Sequence, residues 1–281
     1  MPLNLPTGKR LAVSIGADFD AHSVWMGNFG LFSPAYLSRG EFGAEVGVPR
    51  LLNLFTRYSV PATWCTPAHS MQTFPAAFQS ILDADDHEIA AHGCYHESVP
   101  KLEEDEERRL MEETLKVHER IVGSRPRGYR SPAWDFTEHT LDILQEQGLE
   151  WDSSLMGRDF APYHPRPVTV RWEEASVFGA PSPLLEIPVS WYLDDFPAVE
   201  YIPGVNSGLG STEVIFQRWK DHFDYAYEHA PSGVIAFTVH PQTIGRAHHM
   251  LMFERLVEYM AGHDGAWFAT LSQIYDTWTD D

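Results

Sequence analysis

A chain of 281 residues is long enough to bury a sizeable core, and 43% hydrophobic with 21% charged residues is ordinary globular composition. Forty acidic against twenty basic residues give a formal charge of -20, a field that repels nucleic acid and anionic lipid, and no apolar run reaches bilayer-spanning length. Cys65 and Cys94 are too few for a disulfide framework and residues 1–10 hold no apolar stretch of a secretory signal, so a cytoplasmic protein without membrane or nucleic-acid partners is expected.

In chain order, an apolar run at residues 11–15 reads as a buried strand and residues 45–58 as a helix. Strands are expected at 62–66, 88–91 and 128–130, with a helix at 103–122 before the last of these. A helix at 137–147, a strand at 185–188, a helix at 212–229 and a strand at 233–238 follow. The chain closes with a helix at 247–263, striped by Met250, Phe253, Leu256, Val257 and Met260, and a strand at 267–269. Such alternation implies a parallel sheet, open or closed into a barrel, with chemistry on the loops that follow the strands' C-terminal ends. Neither a repeat nor a low-complexity linker divides residues 1–281, so one domain is expected, with the proline-rich stretch 162–188 as an aromatic rim over a pocket.

Four segments after strand ends carry chemistry. His92-Gly-Cys-Tyr-His96 follows the strand at 88–91, and two imidazoles four residues apart converge on one metal if the turn is helical. Such pairs also arise by chance as surface histidines. Asp18-Phe-Asp20 follows the first strand, and alternation sends both carboxylates to one side, where a cation would relieve their repulsion and leave one free as a base. An Asp-rich turn is the plainer alternative. In Gly128-Tyr-Arg130-Ser-Pro132-Ala-Trp134 a guanidinium is able to pair with a carboxylate and orient Asp18, although an ordinary salt bridge and a core tryptophan explain the same residues. His240, after the strand at 233–238, is a candidate proton donor.

Together and in this order, the four segments resemble the polysaccharide deacetylase family, also called the NodB-homology or carbohydrate esterase family, over nearly the whole chain. The resemblance implies an α/β fold, a distorted (β/α) barrel of about seven strands. It implies a divalent metal, usually zinc, held by Asp20, His92 and His96, with Asp18 as catalytic base, Arg130 as its partner and His240 as general acid. Asp195 resembles the aspartate that orients the acid, with the adjacent Asp194 as the other candidate. Members acting on sugars carry Ser or Thr after the first metal histidine and Pro or Ser after the second, where Gly93 and Glu97 stand here. Residues 40–52, 152–156 and 191–197 resemble a cytoplasmic branch that includes cyclic imide hydrolases, peptidoglycan deacetylase-like proteins and relatives acting on allantoin, some of which work without metal.

The expected reaction is therefore metal-dependent hydrolysis of a C–N bond, with ring opening of a small cyclic imide or amide ahead of N-deacetylation of a carbohydrate or peptidoglycan fragment. Trp25, Tyr129, Trp134, Trp191 and Tyr192 are the candidate walls for a planar small-molecule substrate. A catalytically silent ligand-binding relative is the alternative of another class, and the set Asp18, Arg130 and His240 argues against it. Cys94, between two histidines, is a further candidate nucleophile. Apolar helix faces in excess of what one barrel buries point to a homo-oligomer.

Overall fold

Short runs of small and β-branched residues form the strands of the computed structural model, which describes residues 3–84 and 86–279. They are Leu11–Asp18 (β1), Thr63–Thr66 (β2), Glu88–Ala91 (β3), Gly128–Tyr129 (β4), Trp151–Asp152 (β5), Val168–Thr169 (β6), Val177–Phe178 (β7), Leu185–Glu186 (β8), Gly233–Val239 (β9) and Ala266–Phe268 (β10). Seven of them lie side by side in the order β9, β1, β2, β3, β4, β5, β8, every pair parallel. The tenth shares an edge of β1 with β2: Leu11 to Val13 pair with β10, Gly16 to Asp18 with β2, while β9 runs along the opposite edge. Beyond β8 the chain crosses to β9, where Asp194 bridges Thr238, so the sheet curls toward closure as a distorted (β/α) barrel.

β1 is buried along its whole length because neighbours occupy both edges and helices cover the sheet, which is why its sequence is a continuous apolar run rather than an alternation. The main core cluster draws on both ends of the chain, from Leu11 to Ala266, and is walled by Leu51, Leu54, Trp219, Phe223, Phe253 and Leu256 from three helices. These helices are Val48–Tyr58, Thr212–His229 and Ala247–Ala261.

Several elements differ from expectation. The helix expected at 45–58 is the end of a longer run: Pro34–Phe42 is α-helical, Gly43–Gly47 makes a π-helical turn and Val48–Tyr58 continues. Glycines permit this by letting backbones touch; a Cβ on Gly40 would stand 2.5 Å from the Ala21 carbonyl carbon, and one on Gly47 2.1 Å from the Pro241 oxygen. Helices Ala68–Thr73 and Pro75–Leu82, and the two-residue β5, had no expectation. The stretch 162–188 is no rim over the pocket described below. Tyr163 pairs antiparallel with Glu186, and the segment then leaves as the mostly exposed hairpin β6–β7. Among the described residues no helix is long and apolar enough to cross a membrane.

Candidate active site

Parallel pairing brings the ends of β1, β3, β4 and β9 to one rim, and each end delivers part of one buried cluster. Asp18 is the last residue of β1 and Asp20 lies two further on, both essentially inaccessible to solvent. His92 follows β3. The chain then turns through left-handed backbone at Gly93 (φ 69°) and His96 (φ 58°), so the two imidazoles meet by a tight loop and not by the helical turn that their spacing suggested. Their rings stand edge to face, centroids 4.9 Å apart.

Glu97 holds that loop. Its carboxylate accepts from the backbone N–H of Cys94 at 3.0 Å and of Tyr95 at 2.9 Å, while Ala68 and His69 donate to the carbonyls of Gly93 and Cys94. A Cβ on Gly93 would lie 2.7 Å from Pro132 and 2.9 Å from the Glu97 carboxylate. The two departures from the sugar-acting pattern, Gly93 and Glu97, are thus one structural unit. Sequence reading noted both and assigned a role to neither.

Asp20 Oδ1 lies 3.4 Å from His92 Nε2 and 3.8 Å from His96 Nε2, buried without a hydrogen-bond donor, while Gln242 donates to Oδ2 at 3.4 Å. Tetrahedral ligands about 2.0–2.1 Å from an ion stand roughly 3.3 Å apart, so the three atoms fit a common metal with little movement. His92 Nδ1 donates to the Arg130 carbonyl at 2.7 Å, which leaves Nε2 its lone pair in the neutral ring. Burial pushes His96 down to about 4, keeping it the neutral imidazole a metal requires. Burial also opposes ionisation of Asp20, but the imidazoles of His96, His92 and His240 outweigh it and hold the carboxyl at about 2. For His92 burial opposes protonation, yet the neighbouring carboxylates of Asp20 and Asp18 prevail and raise its pKa; these carboxylates attract a cation. The residues present fit a divalent metal.

Asp18 Oδ1 accepts from Arg130 Nη1 at 2.7 Å, and its Oδ2 stands 3.8 Å from His92 Nε2 and 4.0 Å from His240 Nε2. Arg130 is wholly buried, donating also to the Ser153 carbonyl (2.9 Å) and hydroxyl (3.1 Å). His240, after β9, places Nδ1 2.7 Å from Asp195 Oδ1, while Asp194 Oδ1 is 3.7 Å away and accepts from Phe196 N–H. Geometry thereby separates the two neighbours that sequence left open. Burial would depress the His240 pKa, but Asp194 and Asp195 outweigh it and hold it well above the usual value, favouring a protonated ring.

Asp18, Asp20, His92, His96, Asp194 and His240 line a cavity of about 150 Å³, walled by Val24, Phe29, Phe196, Ala133, Trp134 and Trp191 with Asn28 at one side. Trp134 and Trp191 stack at 4.2 Å. The other candidate walls lie elsewhere. Trp25 is buried one layer behind, among Phe29, Tyr36 and Phe196, and Tyr129 is buried with Met111, Leu115 and Ile143 in a helix-packed core. Tyr192 is exposed, against His222 and next to a separate cleft. Val24, Asn28, Phe29 and Phe196 escaped sequence reading; the first two sit on a π-helical turn, Val24–Asn28, which no periodicity announces. Cys94 does not line the cavity, and burial and Glu97 push its thiol up to about 11, which withholds the thiolate a nucleophile needs.

The sequence profile described as polysaccharide deacetylase matches residues 41–151. A peptidoglycan deacetylase of Helicobacter pylori is 36% identical over 282 aligned residues, 95% of this chain and 96% of its own. A peptidoglycan deacetylase-like protein of Gibberella zeae is 34% identical over 88% of this chain and 80% of its own. Among solved structures, one from Mycobacterium smegmatis assigned to the polysaccharide deacetylases superposes with a TM-score of 0.86 at 31% identity, covering 98% of this chain and 92% of the other. An allantoinase superposes with a TM-score of 0.81 at 23% identity, covering 99% and 93%, a likeness of fold.

Proposed function

The chain belongs to the polysaccharide deacetylase family, hydrolases acting on carbon–nitrogen bonds, and from that premise we propose that it opens a small cyclic imide or cyclic amide with a divalent metal, zinc foremost, held by Asp20, His92 and His96. The observation that carries the reading is the cavity of about 150 Å³ in which two stacked tryptophans and two phenylalanines face a buried base, acid and metal-ligand set. Its size and flat aromatic walls suit a planar ring better than a glycan strand.

When bound, the ion would polarise the scissile carbonyl and lower the pKa of water. The chain's own groups do the rest. Arg130 occupies one oxygen of Asp18 and fixes its orientation, leaving the other to take the proton of the attacking water. His240 Nε2 delivers a proton to the departing nitrogen, which would otherwise leave as a strongly basic anion, and Asp195 fixes the ring through Nδ1. Trp134 and Trp191 exclude bulk water and orient the ring between them and the carboxylates.

Removal of an N-acetyl group from a carbohydrate or peptidoglycan fragment is the second reading, favoured by what the relatives are named for. It uses the same base and acid. A silent ligand-binding relative has no use for a base and an acid set against each other, which weighs against that alternative. The reading keeps a cytoplasmic homo-oligomer: both thiols are unpaired, and Val170, Trp172 and Phe178 of the hairpin region stand exposed.

The test is a panel of succinimide and dihydrouracil for ring opening against chitooligosaccharide for released acetate, with Asp18→Asn beside wild type and metal content measured on both. Ring opening that falls about a hundredfold or more in the variant at unchanged metal content is expected. Acetate release without ring opening would select the second reading, and near-normal turnover by Asp18→Asn would remove it as the base.

A further inference from the structure

Two carboxyl groups with no part in the proposed chemistry are wholly buried next to Arg130. Asp152 and Glu186 stand at paired positions on the adjacent strands β5 and β8, both completely inaccessible. Two ionised carboxylates side by side there would repel, and Arg130, the charged neighbour, is committed to Asp18. Their hydrogen bonds are one-sided. Glu186 Oε1 accepts from Ser154 N at 3.0 Å and Leu155 N at 2.8 Å, and Asp152 Oδ1 accepts from Ser154 Oγ at 2.8 Å. The second oxygen of each, Asp152 Oδ2 and Glu186 Oε2, is buried and receives no donor among the described residues. One proton between them satisfies both.

The loop fixed by these bonds is the one that holds the guanidinium: Ser153 accepts from Arg130 at its carbonyl and hydroxyl, and Ser154 Oγ accepts from Ser131 N at 2.8 Å. We propose that Asp152 and Glu186 share a single proton and act as positioning residues for Arg130, setting its reach to Asp18 by clamping residues 153–155. The kinetic half rests on the reading of Asp18 as base; the clamp itself does not. Burial pushes Asp152 up to about 6 and Glu186 well above the carboxylate range, Arg130 lowering the former, with Tyr163 and the strand neighbour Tyr129 as further ionisable groups that interact with the pair. Carboxyl groups raised in the folded state stabilise below their unfolded pKa, and that stability is lost as pH rises through the folded value.

Glu186→Gln keeps an acceptor for the two amides and a permanent donor toward Asp152. Its melting temperature should gain on wild type as pH is raised upward from the ordinary carboxyl range, because the folded wild type holds a proton that its unfolded chain releases. Its kcat should stay within about twofold, whereas Glu186→Leu, where folded, should lose roughly tenfold or more in kcat at little-changed KM. A Glu186→Gln melting curve that tracks wild type at every pH, or a kcat as poor as that of Glu186→Leu, overturns the proposal. If wild type opens no ring at all, the reaction assignment fails while the melting comparison still decides whether the proton is shared.

Discussion

Asp194 and Asp195 put the same side chain on consecutive positions and receive opposite assignments from the backbone. The chain is extended at Asp194 and turns helical at Asp195, so Asp195 points both oxygens at the His240 backbone N–H (3.1 Å each) and one at Nδ1 (2.7 Å). Asp194 instead lines the cavity, where burial and Asp195 push its carboxyl up to about 8 against the pull of His240. Asp195→Asn should therefore cost kcat on the order of tenfold to a hundredfold by freeing the imidazole's tautomer and orientation, while Asp194→Asn, which preserves a mostly neutral group, should cost far less. Steady-state kinetics on the two variants check this, and equal losses would contradict it. That Asp18, Asp20, His92, His96, Arg130 and His240 gather at one rim was legible because each lies at a strand's C-terminal end or in the loop after it. Which neighbour of a pair points inward was not, since a local turn decides it. The same limit explains Trp25 and Tyr129, whose chemistry suits a pocket wall but whose strand and turn positions face the core.

At the scale of elements, β1 shows how a strand's sequence makes room for function. Gly16 and Asp18 share a face, and a Cβ on Gly16 would meet Arg130 Nη1 at 2.4 Å. The guanidinium occupies the space of an absent side chain. Because it is pinned at Asp18 and at Ser153, it has no free direction in which to yield. Gly16→Ala should keep β1, whose backbone there is paired on both edges, yet lower kcat by roughly tenfold or more through a displaced Arg130, with KM changing less. Wild-type kcat in that variant would mean that Arg130 placement is not critical. The strands were readable from continuous apolar runs and the amphipathic helices from their stripes, as at Thr212–His229, whose bounds match expectation. β5 offers two residues and no pattern, and Ala68–Thr73 and Pro75–Leu82 are broken by a proline and too short for a period to register. Tertiary pairing, not local preference, creates such elements.

Across the whole molecule the surplus of acid bears on the metal. A formal charge of -20 makes any bound cation electrostatically welcome, and the site sets Asp18 and Asp20 3.8 Å and 3.4 Å from His92 Nε2, where the cation would sit. A group bound only by the folded chain stabilises it by mass action, about 4 kcal/mol at a thousandfold excess over its dissociation constant, or on the order of 10 °C for a chain of this size. Chelation should accordingly abolish turnover and lower the melting temperature by several degrees, both returning with added zinc, while Asp20→Asn should show little of the shift because a ligand is already gone. The paired variant matters: chelators also act on protein stability in general, and only a shift that depends on Asp20 reports the cluster itself. Full activity and an unmoved melting temperature after exhaustive chelation would instead leave Asp18, Arg130 and His240 to act on a neutral water unaided, a far weaker nucleophile.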